Sequence, residues 1–594
     1  MPAGQTVAVV VDDEATASAH AASDHAWWVY ATEVLDHLRL PYHQVSTVDP
    51  ELLDSDLRVL VFTHPPVLDP PTQGALERWA RRGGAILAIG GPGDLAGLLG
   101  TDAGAPVDHA HVRVLDAELW TSVPDVALHA VGGVRLRAGA DADVPARWDD
   151  GSPALTVRRL GAGVGLTCGV DLWQSIVRIQ QGYPVLADGT PASDGTAPID
   201  DDLLKCDDGL ALSFEDDREL PPGQPPVPQP FEHVHPPVAA APMFHRPHAD
   251  LWRSLFLQSL WWAAEQVGAA LPWLYYWPSG VPAVAHMSHD SDDNVEEHGR
   301  TALEVFAEAD VRVTWCQAFP GGYSPETYAA ISAAGHEQAL HYNAMHDADI
   351  ATWGWPQLRA QYAWAQAVTG TERIVSNKNH YTRWEGWTEF YEWCERLGIE
   401  IDQSRGPSKQ GGVGFPFGTA HVSFPIADVA EGNRFHDVLI LPLHTQDLAL
   451  AAHESVRDVI IDNAVAQHGV AHFLFHGPHL HLRPATRKAC LVLAEEVRRR
   501  GMAWWTSAEI NDWERSRREV RLTLTPSPGG WVVHSEATAA VEDAAVLVLL
   551  PGLDALPRIV SGEGSVGLVR RHGRDFVELT VDVPAGTASW TLAR

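Results

Sequence analysis

The chain has 594 residues, 45% hydrophobic and 20% charged, which suits a globular protein too long for one hydrophobic core. Its net charge of -35 argues against nucleic acid and anionic membrane as partners, because both demand basic surface. The five cysteines, Cys168, Cys206, Cys316, Cys394 and Cys490, are scattered without a CxxC pair, so neither a disulfide framework nor a cysteine-based zinc site is expected.

Lysine occurs only at positions 205, 378, 409 and 488, and arginine supplies nearly all the positive charge. No basic segment precedes the first apolar run, and no apolar stretch reaches membrane-spanning length. The chain therefore reads as cytoplasmic.

From residue 5 to about 215, strand and helix signals alternate. Val7–Val11, Val59–Phe62 and Ala85–Ile89 read as buried strands, with helical stretches near Ala26–Leu38 and Gln73–Arg82 between them. Such alternation implies a parallel sheet covered by helices. This part resembles a class I glutamine-amidotransferase-like domain of flavodoxin type. In catalytic members of that family a cysteine sits on the turn after the strand equivalent to Ala85–Ile89. Here the turn reads Ile89-Gly90-Gly91-Pro92-Gly93, so the resemblance implies a domain without its nucleophile. Cys168 lies far downstream and reads as core.

Residues 213–250 are proline-rich from Pro221 to Pro230 and read as an extended linker. His233, His235, His245 and His248 are expected to lie exposed within it. Leu251–Val267 follows as a strongly apolar helix. Strand and helix signals alternate again to about residue 515. After residue 516, short strands separated by turn residues predict a small C-terminal β-sandwich.

The chemistry concentrates in four segments. The first, His286-Met287-Ser288-His289-Asp290-Ser291-Asp292-Asp293-Asn294, follows the apolar run Val281–Ala285 and so falls where a strand ends. Three carboxylates beside two imidazoles suit a divalent metal and a general base. The second is Gly335-His336-Glu337, followed by His341, Tyr342 and His346. The third runs from Asn377 to Trp384 and contains His380 and Arg383. The fourth is the apolar run Ala471–Phe475 leading into His476.

Together these segments resemble the polysaccharide deacetylase family, also called the NodB-homology or carbohydrate esterase family 4 domain, over residues 280–510. The resemblance implies a distorted (β/α) barrel and a metal-dependent deacetylase. It makes Asp290 the catalytic base and His476 the catalytic acid. Asp292, His341 and His346 become the ligands of a divalent ion: zinc, with cobalt or nickel as the other choices. His380, Tyr342 and Arg383 are the expected substrate contacts. The chain departs from the family in two places. Ser291 separates the two aspartates, and His341 and His346 are five residues apart where four is usual. Asp293 therefore stays open as an alternative to Asp292, and His380 as an alternative to His346.

The organisation expected is α/β multidomain. A flavodoxin-like α/β domain spans 1–212, the linker 213–250, the barrel 251–515 and the β-sandwich 516–594. The expected substrate is an acylated amino sugar or other carbohydrate. The alternatives are hydrolysis of a non-peptide C–N bond in a small metabolite, or a non-catalytic carbohydrate-binding or assembly protein. Homo-oligomerisation is left open.

Overall fold

The computed structural model describes residues 4–117, 119–123, 125–196, 202–220, 242–345, 352–408, 410–553 and 555–594. The protein is α/β, built around one large mixed sheet and one curled parallel half-barrel sheet. The mixed sheet has nine strands. Five are parallel: His43–Val45, Val7–Val10, Val59–Phe62, Ala85–Ile89 and Gly163–Cys168, in that spatial order. In chain order this is 2-1-3-4-5, one of the common doubly wound orders. Val7–Val10 and Val59–Phe62 are buried at every position, as helices covering both sheet faces require. Helix Pro70–Arg81 starts where Asp69 accepts a hydrogen bond from Thr72 N at 2.7 Å, with proline in its first turn.

Strand Ala85–Ile89 runs into Gly90 and Gly91, whose φ angles of +80° and +138° demand glycine. Cys168 pairs with Ile89 on the neighbouring strand and is buried. Burial pushes its thiol up to about 12, so no thiolate forms there at neutral pH. Four antiparallel strands, Pro153–Leu160, Asp143–Trp148, Thr101–Val114 and Ala127–Ala138, extend the sheet beyond Gly163–Cys168.

Helix His248–Gln266 is apolar nearly all round because it is enclosed nearly all round. Trp252 donates to His129 O at 2.7 Å, and Ser259 accepts from Trp120 Nε1 at 2.9 Å. The linker expectation needs correction at its described ends. Residues 221–241, with His233 and His235, lie outside the described residues. Arg218–Glu219 pairs antiparallel with Met243–Phe244, and His248 is buried at the start of the helix rather than exposed.

The second sheet is parallel throughout. Its order is Leu439–Ile440, Ile401–Asp402, Ser376–Asn379, Glu337–Tyr342, Thr314–Ala318, Val284–Asp290 and Val470–His476, with Ala503–Trp504 beside the start of Val284–Asp290. The sheet curls until Thr445, just past one edge, makes an isolated parallel bridge to Phe473 on the other. Alternate residues of Val284–Asp290 face opposite ways. Ala285 and Met287 join the apolar cluster under the helices. His286 and Ser288 enter a buried polar network, with His286 Nε2 2.8 Å from Gln403 Oε1 and Ser288 Oγ 2.8 Å from His472 Nε2.

Two four-stranded sheets follow and share one apolar core. One contains Arg521–Ser527, Gly530–Ala537, Gly586–Ala593 and Arg558–Ser561. The other contains Val541–Leu549, Arg574–Val583 and Ser565–Arg571, and recruits Leu271–Leu274 from far upstream. Sheet membership therefore crosses the expected boundary at residue 516.

Where these units meet, His37, His421, His468 and His572 pack around Tyr276. Burial holds His421, His468 and His572 below their ordinary range, His572 at about 3. These rings stay neutral in the folded protein, whereas in the unfolded chain they charge below about 6.5. Their contribution is thus present above 6.5 and lost as pH falls. The loss is about 1.4 kcal/mol per histidine for each pH unit until the folded value is reached. We expect the Tm to fall steeply between pH 7 and pH 5; a flat Tm over that range would contradict this account.

Candidate active site

The site forms at the carboxyl ends of the curled sheet's strands, where parallel βα folds gather catalytic groups. Strand register brings the residues level: Asp290 pairs with His476, and His341 with both Ala318 and Lys378. Asp290 ends its strand facing inward. Ser291 turns outward, and its Oγ accepts from Ala318 N at 2.9 Å. Asp292 then faces inward again. The strand ends at Asp290, and the turn that follows, with the serine between, puts both carboxylates on one side. Asp292 sits at φ +42° and Asn294 at φ +50°, a strained turn of the kind that clusters at functional sites. Asn294 Nδ2 secures it by donating to Ala318 O at 2.8 Å. Asp293 points to solvent.

Asp292, His341 and His380 bring one ligand atom each within 4.8 Å of one another. His341 Nε2 lies 3.6 Å from Asp290 Oδ2 and 3.7 Å from Asp292 Oδ1, and His380 Nε2 lies 3.8 Å from Asp292 Oδ1. Each imidazole is held from behind. His341 Nδ1 is 3.0 Å from Lys378 O, and His380 Nδ1 is 3.1 Å from Asn343 Oδ1. Both acceptors require the proton on Nδ1, which leaves each Nε2 lone pair facing Asp292, as a metal ligand needs. Burial keeps both rings neutral down to about 4. Among the described residues, the buried atoms His341 Nε2, Asp290 Oδ1 and Asp292 Oδ1 have no hydrogen-bond partner. The orphaned His341 Nε2 and Asp292 Oδ1 lie 3.7 Å apart and fit a cation between them, since buried polar groups are otherwise paired. The donor set, two imidazoles and a carboxylate, suits zinc.

His346 lies outside the described residues. Among the described residues, His380 stands with Asp292 and His341 in the group that could hold a metal ion.

Burial alone would raise the Asp290 carboxyl, but His341, Lys378 and His476 overcome it and hold the group at about 2. His341 is itself neutral above about 4, so at neutral pH the nearest fixed charge is Lys378 Nζ, 3.2 Å from Asp290 Oδ2. Lys378 also donates to Ser288 Oγ at 3.1 Å, which joins Asp290 to the polar network below. Across the site, His476 Nδ1 contacts Asp447 Oδ2 at 2.5 Å, and its Nε2 lies 3.9 Å from both Asp290 Oδ2 and Asp292 Oδ2. Burial disfavours the imidazolium, but Asp447, Asp292 and Asp290 raise His476 to about 10. It is therefore protonated at neutral pH, with Nε2–H directed into the site.

Two expected substrate contacts do not reach the site. Tyr342 follows His341 on the strand, so alternation sends it to the opposite face. It is buried among Trp353 and Phe390, and Gly354 N donates to its hydroxyl at 3.0 Å. Arg383 is buried against Glu385 and the Ala344 carbonyl. The cation beside Asp290 is Lys378 instead. Lys378 lies in the third marked segment and Asp447 outside all four, and nothing in a linear reading pairs them with Asp290 and His476. A lysine in a chain with only four, set inside a polar strand, was the available signal.

No protein-family model matches the sequence, and no curated protein matches it. Among solved structures, the chain is similar to a provisionally assigned polysaccharide deacetylase from Mycobacterium smegmatis, at 16% identity over 41% of this chain and 93% of that one, with a TM-score of 0.31. It is also similar to β-galactosidases from Rahnella sp. R3 (15% identity, 28% of this chain and 29% of that one, TM-score 0.24) and Bacillus circulans sp. alkalophilus (18% identity, 33% and 34%, TM-score 0.24). The chain spans about a third of the length of those β-galactosidases. None of these likenesses assigns an activity to this chain.

Proposed function

We propose that this chain is a metal-dependent hydrolase that removes an acyl group, acetyl in the first instance, from an amino sugar or glycan. The observation that carries the reading is the convergence of Asp292, His341 and His380 around orphaned buried atoms, with Asp290 and His476 on either side. A divalent ion bound there supplies a Lewis acid for the acyl carbonyl and makes water easier to deprotonate. Asp290 is ionised and accepts the proton of the attacking water. Lys378 keeps that carboxylate charged and fixes one of its oxygens. His476, oriented by Asp447, donates its Nε2 proton to the departing amine nitrogen. His341 and His380 orient through Lys378 O and Asn343, so the ligand set is preformed.

The test is acetate release from N-acetylglucosamine oligomers and from small N-acetylated amino sugars, after chelation and after zinc, cobalt or nickel is restored. Activity should vanish with chelation and return with metal. His380→Ala should lose that metal and the activity together. Undiminished hydrolysis by chelated protein, or by His380→Ala, would refute the reading.

A further inference from the structure

A second constellation lies in the large mixed sheet, away from the site above. His111 and His129 face each other across the antiparallel strands Thr101–Val114 and Ala127–Ala138, with ring centroids 5.0 Å apart. Asp217 reaches in between them. His111 Nε2 is 2.8 Å from Asp217 Oδ1, and His129 Nδ1 is 2.7 Å from Asp217 Oδ2. Ser213 N also donates to Asp217 Oδ2, at 2.6 Å, so the carboxylate is fixed from its own chain. All three ligand atoms lie within 4.8 Å of one another.

Behind His129 stands a relay that adapts to either state of that ring. His129 Nε2 is 2.8 Å from His109 Nδ1, and His109 Nε2 is 3.0 Å from Tyr183 OH. With a proton between His129 Nδ1 and Asp217, Tyr183 donates to His109 and His109 donates to His129. With a cation on His129 Nδ1, the proton moves to Nε2 and both bonds reverse without loss. This is the outer-shell arrangement that metal-bound histidines use.

An independent observation points to a ligand at the same place. His248 is buried, and its Nδ1 accepts from His129 N at 3.1 Å. Because Nδ1 accepts that hydrogen bond, the proton of the ring must sit on Nε2. Yet among the described residues Nε2 has no partner, and Asp217 Oδ1 is 3.9 Å away, too far for a hydrogen bond. His248 and His111 both line a cavity of about 320 Å³. An unpaired donor, 2% exposed and aimed into a cavity beside two imidazoles and a carboxylate, calls for an acceptor there.

We propose that His111 Nε2, His129 Nδ1 and Asp217 hold a second divalent transition-metal ion of the zinc class, with an open position toward this cavity. The His248 Nε2–H faces the water or small anion in that open position. Three protein ligands with one open place is the pattern of an accessible zinc site. The present contacts are hydrogen-bond lengths and must widen to ~3.3 Å, the ligand spacing of tetrahedral zinc. His111, only partly buried, has the freedom to do so. The ion would tie the long antiparallel strands to the segment carrying Asp217.

The experiment uses the full chain, stripped and reloaded with zinc chloride or cobalt chloride. His380→Ala disables the other site and should leave one zinc equivalent per chain, with visible ligand-field absorption when cobalt replaces zinc. Adding His111→Ala or Asp217→Asn should remove that equivalent and the absorption, and abolish the zinc-dependent rise in Tm. His111→Ala alone should bind one equivalent fewer than wild type and keep acetate release unchanged. Retention of the equivalent in His380→Ala/His111→Ala would overturn the assignment, as would a His380→Ala protein that binds no metal. Circular dichroism of metal-free His111→Ala, a partly exposed position, controls for misfolding should Asp217→Asn fail to fold.

Discussion

Asp290→Asn is expected to lower kcat for deacylation by about 10²–10⁴-fold, the usual contribution of general-base catalysis, while metal content stays at the wild-type level. The amide keeps the shape and can still meet Lys378, but it cannot accept the water's proton. Asp290 Oδ2 lies 3.6 Å from His341 Nε2, but the group whose ligand atoms all lie within 4.8 Å of one another is Asp292, His341 and His380, so metal binding should survive. Steady-state kinetics on an N-acetylated substrate, with zinc measured on the same preparations, check both halves. If turnover holds, another group is the base. If metal is lost with turnover, Asp290 is a ligand.

Glu514→Gln is expected to destabilise the protein by about 3–5 kcal/mol, because it strands a buried charge. Glu514 and Arg517 are both almost fully buried, with Arg517 Nη1 3.0 Å from Glu514 Oε2. Arg518 completes the cluster, 2.5 Å from Glu514 Oε1 and 2.7 Å from Glu33 Oε2, while Arg517 Nη2 donates to His37 O at 2.6 Å. The cluster joins helix Ser507–Arg518, behind the curled sheet, to helix Ala31–His37 of the first sheet. Losing the carboxylate leaves the Arg517 charge with neutral acceptors alone, the new amide oxygen and the carbonyls of His37, Leu274 and Tyr275. The first urea-unfolding transition should move to lower denaturant. Glu77→Gln, at the exposed Arg81–Glu77 pair, should change stability by less than about 1 kcal/mol. Equal effects from the two substitutions would show that burial does not govern the cost.

The candidate site shows where linear reading stops. The segment around Asp290 stood out because several titratable groups crowd the end of an apolar strand, and local composition reports such crowding directly. The partners of those groups were not readable. Asp447 precedes His476 by 29 residues and meets it only because the segment near Thr445 bridges back to Phe473. Lys378 reaches Asp290 across the sheet interior, through curvature that no local pattern encodes. Tyr342 is next to His341 in sequence, but strand alternation puts the two side chains on opposite faces. His248 follows a proline-rich stretch that suggests linker, yet it opens a buried helix.

By itself, the sequence determined the alternation of apolar strands and amphipathic helices, the absence of a cysteine on the Ile89–Gly93 turn, and the placing of carboxylates and imidazoles at strand ends. All of these follow from short-range chemistry: side-chain period, backbone freedom and local titratable density. Tertiary structure alone decided that His380 stands beside Asp292 and His341, that Lys378 and Asp447 set the charges of Asp290 and His476, and that Leu271–Leu274 joins strands nearly three hundred residues downstream. Those outcomes depend on sheet register and curl, which are fixed by the packing of the whole core and not by any one stretch of chain.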